Sequence, residues 1–236
     1  MKNLLLILVL ITTLNSFSQS VEIIHKSENR NLPEGKIFAF IEPTTDTSQI
    51  KYVATILARD KNKKSNIEFL YFEIRKEATK IGANCFRVKS FERGGKRNEA
   101  ILILDCYVAN ETTLKQNTKN HENNVVYIFG GERDDDKSTS FKINGVEIEL
   151  RSGTYYKLSL KPDEEIRISK GGFTGSTITL NWEEGKELSF YSLSGLGLAA
   201  MEKQPMNGIS FNTGSVNRMG NISLGLLLAY ILKQAN

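Results

Sequence analysis

Residues 140–150 read Ser-Phe-Lys-Ile-Asn-Gly-Val-Glu-Ile-Glu-Leu. Asn144-Gly145 is a type I′ hairpin signal, because both central residues of that turn need a positive φ, which Asn and Gly tolerate. Ser140 to Ile143 and Val146 to Leu150 alternate on either side and form the two arms. The same cadence runs outward. Val125 to Phe129 is an apolar run ahead of the hairpin. Beyond it, Ser152-Gly153 turns into Tyr155 to Leu160, and Pro162-Asp163 turns into Glu165 to Ser169. Thr177 to Trp182 and Glu187 to Leu193 follow. About seven short strands with turn signals between them predict an antiparallel β-sandwich over 125–200.

The run from Phe141 to Ile168, with its Asn-Gly hairpin and then Gly153-Thr-Tyr-Tyr-Lys-Leu-Ser-Leu-Lys-Pro162, resembles the PEGA-like β-domains of bacterial envelope proteins. Their pattern ends in Pro-Gly, whereas this chain has Pro162-Asp163. The resemblance implies a surface β-domain and carries little about function.

The chain before this region mixes strand and helix. Val21 to His25, Lys36 to Ile41 and Ile50 to Arg59 read as strands. Ser65 and Glu68 form a capping box, and Ile67, Leu70, Tyr71, Ile74, Ala78 and Ile81 recur at helical spacing. Gly82 supplies a left-handed stop, so the spacing predicts a helix over 66–81, although Glu68 to Ile74 also alternates like a strand. Cys85 to Phe91 and Glu99 to Val108 are the arms of a hairpin. Glu77-Ala-Thr-Lys-Ile-Gly-Ala-Asn84, running into a strand, resembles the helix-to-strand corner of small YbjQ-like envelope domains.

A hairpin turn centred near Gly95 puts Cys85 opposite Cys106. Facing cysteines in an exported chain join, so a Cys85–Cys106 disulfide is expected, with two buried free thiols as the other reading. No histidine lies near either cysteine in sequence to activate it.

Export is read from the N-terminus. Lys2 precedes an apolar run from Leu4 to Thr13, and Ser16-Phe17-Ser18 is a small-x-small cleavage pattern. The run falls short of the roughly 20 residues of a spanning helix. The expected organisation is a signal peptide (1–18), a small α+β module of three strands, a helix and a hairpin (19–109), and a polar linker (110–124). The β-sandwich module (125–200) follows, then an irregular tail with a short apolar helix (201–236). Asn221 caps that helix, which is apolar nearly all round. It is expected to pack on the sandwich or between the modules, to bind a partner, or to touch a membrane surface through Leu224, Leu227, Leu228 and Ile231.

Composition bounds the chemistry. A net charge of +4 is a solubility property and does not point to nucleic acid. The 40% apolar content supports a packed core. His25, at a strand end, and His121, in the linker, read as surface residues. Asp134-Asp135-Asp136 lacks the alternation of a calcium loop. Gly130-Gly131 and Gly171-Gly172 precede strands, so neither reads as a phosphate loop. Asp105 and Glu183 are carboxylates without a visible partner for catalysis, and Glu183-Glu184 at a turn cannot face each other across a cleft as a glycosidase pair must.

No catalytic set, metal site or cofactor is expected. The expectation is an exported, non-catalytic envelope or secreted protein, in the periplasm, at the outer membrane or released, with a binding or assembly role. The alternative is a carbohydrate- or cell-wall-binding module using Trp182, Tyr155 and Tyr191. Partners are an envelope protein or a glycan, not nucleic acid.

Overall fold

The computed structural model describes residues 19–28, 36–60, 67–94, 99–131, 137–171, 175–193 and 215–235. The expected signal peptide, Ser65 of the capping box, the aspartate run 134–136, Gly95 and Gly172 lie outside these residues. The described chain is a β-rich mixed fold with three helices and three sheets.

The first sheet contains β1 (Gln19–Lys26), β2 (Ala39–Phe40), β3 (Lys51–Asp60), β4 (Cys85–Glu92) and β5 (Ala100–Val108), in the order β1-β3-β5-β4-β2. Helix α1 (Ile67–Lys80) buries Ile67, Leu70, Tyr71, Ile74 and Ala78, the apolar stripe legible in the sequence. These side chains join Ala54, Ile56, Phe86, Leu102 and Leu104 in one cluster. Gly82 adopts φ 87°, and the Ala83 N–H reaches back to the Ala78 carbonyl at 3.0 Å, which closes the helix. The helix reading therefore holds throughout Ile67–Lys80, including the part that alternates like a strand.

Two expectations fail in this region. In the β4–β5 hairpin, Cys85 pairs with Tyr107, and Phe86 pairs with Cys106. The register differs by one residue from that needed to face the cysteines, and a one-residue slip moves a side chain to the other face. Cys106 joins the cluster under α1, while Cys85 packs with Ile41 and Ala109. The disulfide is absent and both thiols are buried and free. Burial pushes the Cys85 thiol up to about 12 and raises Cys106 as well, so neither is a ready thiolate.

The segment 110–124 is also not a plain linker. It holds helix α2 (Glu111–Lys119). Asn110 caps it, its Oδ1 accepting the Thr113 N–H at 2.8 Å, with Glu111 in the first turn and Lys119 in the last to suit the helix dipole. Composition hid the helix because its single buried residue, Asn117, is polar.

The remaining strands make two more sheets. β7 (Ser138–Ile143), β8 (Val146–Arg151), β10 (Glu165–Lys170) and β11 (Ser176–Asn181) form an antiparallel sheet in the order β11-β10-β7-β8. The β7–β8 turn has φ 50° at Asn144 and 85° at Gly145, as the type I′ signal requires. β6 (Val125–Phe129), β9 (Thr154–Ser159), β12 (Ser189–Ser192), β13 (Asn217–Arg218) and β14 (Lys233–Gln234) form the third sheet, in the order β13-β12-β6-β9-β14. This sheet is mixed: β12 runs parallel to β6, and β14 runs parallel to β9. A wholly antiparallel arrangement is therefore wrong. The chain leaves β6, makes β7 and β8 of the second sheet, crosses back for β9 antiparallel to β6, completes the second sheet with β10 and β11, and returns as β12 parallel to β6.

All five residues of β6 are buried, because the third sheet is covered on both faces. Val126 and Ile128 share a cluster with Phe141, Leu150, Ile166 and Ile168 of the second sheet. Val125, Tyr127 and Phe129 share the other cluster with α1, the first sheet and helix α3 (Ile222–Ile231). Asn221 caps α3, accepting the Leu224 N–H at 3.0 Å. Leu224, Leu227 and Leu228 are fully buried in that cluster and Ile231 is partly buried. A membrane contact through these leucines would require the helix to leave the core. No helix among the described residues is long and apolar enough to cross a membrane.

Candidate functional site

The short strand β2 lies at an edge of the first sheet, and side chains seal that edge. The Phe40 carbonyl accepts from Asn117 Nδ2 at 2.8 Å, and the Phe40 N–H donates to Ser223 Oγ at 3.3 Å. Asn117 goes further. Its Oδ1 accepts the Glu42 N–H at 2.9 Å and the Thr45 hydroxyl at 2.8 Å. Asn120 donates to Thr45 at 3.0 Å, and the Arg87 guanidinium donates to the Glu42 and Thr45 carbonyls at 3.0 and 3.1 Å. One buried asparagine thus ties α2 to the turn after β2, satisfying backbone groups that burial would otherwise orphan.

This fixed corner places three carboxylates and a histidine where α2 meets the third sheet. His121 Nε2 lies 3.7 Å from Glu42 Oε1, and the histidine side chain is only 12% exposed. Burial lowers the His121 pKa, with Glu187 acting against it. Burial raises the Glu42 pKa, and the Glu122 charge adds to that. Glu122 itself pairs with Lys157, Nζ to Oε2 being 2.6 Å, and Lys157 sits 5.5 Å from the centre of the Tyr127 ring. Burial pulls the Lys157 pKa down, but the Glu122 hydrogen bond and the Tyr127 contact outweigh it, leaving a net rise. At 3.7 Å the two groups do not hydrogen-bond, so burial leaves His121 Nε2 without a hydrogen-bond partner among the described residues, beside a carboxyl whose pKa is raised.

Beside this pair a groove of about 320 Å³ opens. Its apolar walls come from Phe38, Phe40, Leu188 and Leu226, with Ile37 and Ile222 at the rim, and His121, Glu187 and Ser223 add polar groups. Ile37 is 53% exposed, Ile222 39% and Tyr230, which packs on Phe40, 55%. An apolar concavity with a few converging polar groups and shifted pKa values is the usual form of a binding site.

The residues picked out in sequence for binding do not meet. Tyr155 packs with Tyr127 and Phe129 on one face of the third sheet, and Tyr191 is buried on the other with Val126 and Ile128. Tyr155 and Tyr156 lie on opposite faces of this sheet, and neither is an exposed anchor, because both faces are covered. Trp182 is 37% exposed and lies just past β11, next to Glu183, whose backbone is held by Asn124. His25 is exposed as expected, and its Nδ1 lies 3.0 Å from the Tyr52 hydroxyl. That hydroxyl lies 2.7 Å from Thr55 Oγ1, which donates to Asp105, and Lys89 lies 3.6 Å from the same carboxylate. His121 is half-buried, contrary to its reading as a surface residue, because α2 carries it inward. The signal for that was Asn110 ahead of Glu111 with Lys119 at the far end, a helix start and stop inside a polar stretch.

No family model, no curated protein and no solved structure matches the chain.

Proposed function

We propose that this chain is an exported, non-catalytic envelope or secreted protein with a binding or assembly role. In this reading 125–200 is a β-sandwich module of the PEGA-like kind and 19–109 a small α+β module. Apolar side chains of a partner protein enter the groove beside His121. The observation that carries the reading is the groove itself: apolar walls continuous with the exposed side chains Ile37, Ile222 and Tyr230. Contiguous apolar surface with a polar rim marks interaction sites on soluble proteins. Recognition is by side chains and not by strand addition, because Asn117 and Ser223 already occupy the Phe40 backbone groups at the edge of β2.

The test is site-specific photocrosslinking in the native host. A benzophenone side chain at Ile222 is expected to give one dominant protein adduct that Ile37→Asp abolishes. The same probe at Val146, which is 67% exposed on the second sheet, is expected to give none. Equal adducts from both positions, or an adduct that survives Ile37→Asp, would sink the reading.

A further inference from the structure

Helix α3 begins at the groove, through Ile222 and Ser223, and ends at a second concavity, through Ile231. This cleft measures about 710 Å³ and lies where all three sheets approach one another. Phe91 and Arg93 come from the end of β4, Ser138 from β7, Glu149 and Arg151 from β8, and Lys233 from β14. Among the described residues, three cationic side chains and one carboxylate line this cleft. Neither Arg151 nor Lys233 takes part in an ion pair among the described residues, and Glu149 is engaged by the Ser138 hydroxyl.

The wall that carries these groups is held by backbone bonds. Gly153, at φ 78°, donates its N–H to the Gly131 carbonyl at 2.8 Å and accepts the Lys233 N–H at 3.3 Å. The Thr154 hydroxyl caps the Arg151 carbonyl at 2.7 Å. Gly130 lets the strands close up, since a Cβ there would lie 2.9 Å from the Arg151 carbonyl oxygen. Arg151 and Lys233 are therefore set on neighbouring elements whose spacing is fixed before any ligand arrives.

We propose that this cleft is a binding site for an acidic saccharide. Each chemical part has a counterpart in the lining. Arginine and lysine take carboxylate groups, the arginine in forked pairs. The Glu149–Ser138 pair offers an acceptor and a hydroxyl to sugar hydroxyls. Phe91 and Ile231 give the C–H face of a ring an apolar surface. The volume falls in the range of roughly 300–1,000 Å³ typical of small-molecule sites. A simple anion would use the cations and leave the apolar and hydroxyl-binding parts idle. The site is separate from the groove, so the two readings stand or fall independently.

The experiment is calorimetric titration of the full chain with a tetragalacturonate, its neutral methyl ester and inorganic phosphate, at low and high salt. The acid form is expected to bind about tenfold tighter than the ester, with affinity falling as salt rises. Arg151→Ala and Lys233→Ala are each expected to weaken it about fivefold or more, and Glu149→Gln to weaken the saccharide but not phosphate. Arg151, Glu149 and Lys233 are exposed, so these variants keep the fold, which an unchanged melting temperature verifies. Equal affinity for acid and ester would overturn the proposal. So would phosphate binding as tightly as the saccharide, which would leave an anion site only, or no binding by any of the three.

Discussion

Replacing Gly225 with alanine sets two effects against each other, and the structure decides the sign. Gly225 lies inside α3, where alanine is favoured over glycine by about 1 kcal/mol on helix propensity alone. A Cβ at this position would stand 2.4 Å from two atoms of the Phe190 ring. That ring is 1% exposed and stacks on Tyr127 at 5.2 Å and Phe129 at 6.1 Å between centroids. It cannot swing aside without losing those contacts, so the helix or the sheet must shift. Overpacking of this kind costs about 1–3 kcal/mol, and a separation this short belongs at the upper end. The net expectation is a loss of about 2 kcal/mol, seen as a fall of about 4–8 °C in Tm for a chain of this size. Urea unfolding followed by circular dichroism measures it. Phe190→Leu should cost less in the Gly225→Ala background than in the natural chain, because the smaller side chain relieves the clash. A neutral or stabilising Gly225→Ala, with no coupling to position 190, would refute the packing of α3 against β12.

Asn117→Ala removes three hydrogen bonds, stranding the Phe40 carbonyl and the Glu42 N–H and leaving the Thr45 hydroxyl with Asn120 alone, so it should cost about 3 kcal/mol in urea unfolding. A loss under about 1 kcal/mol would show that α2 is not tied to the first sheet through this residue. Cys85 and Cys106 should both resist alkylation in the folded protein and both react after unfolding without reductant, by mass spectrometry. A product bearing no label after unfolding would mean that the two sulfurs are joined after all. His121 gives a pH prediction. Its folded pKa lies below the ordinary 6.5, so its contribution is present above 6.5 and lost as pH falls towards the lower folded value. Glu42 acts in the opposite sense: its pKa is raised above 4.5, so its contribution is present below 4.5 and lost as pH rises through the raised value. Between pH 7 and 5, His121→Gln should therefore lose less stability than the natural chain and Glu42→Gln more. The reverse order in denaturant midpoints would refute the burial argument.

Much of the fold was legible because local rules and tertiary packing agree there. The Asn144-Gly145 turn, the stripe from Ile67 to Ala78, the Gly82 stop and the Asn221 cap each bind a residue type to a backbone geometry, and each is found where expected. The failures share a different cause. The cysteine register depends on where an eight-to-nine-residue strand pair is pinned, and the pairing carries an irregularity between Val88 and Ser90 that no residue type announces. The parallel return of β12 onto β6 depends on the order in which whole sheets assemble, and five short strands intervene with no directional mark.

The candidate sites were less legible, and period-two alternation explains why. Reading Tyr155 and Tyr191 as anchors assumed that one face of their sheet meets solvent. The third sheet instead has a second layer on one side and helices on the other, so its aromatics become core. The residues that line the groove and the cleft are drawn from elements far apart in sequence. Phe40, His121, Leu188 and Leu226 span most of the chain, as do Phe91, Arg151 and Lys233. What brings both sets together is α3, whose buried leucines hold the first sheet against the third. A helix apolar on nearly every side gives most of its surface to the core, here leaving only Ile222 and Tyr230 exposed, and that property was visible in Ile222 to Leu232. Its consequence was not visible: by filling the space between two layered halves, the helix leaves a concavity at each of its ends. The groove and the cleft are thus by-products of one packing solution, which is why substitutions within α3, Gly225→Ala first, should disturb both sites together.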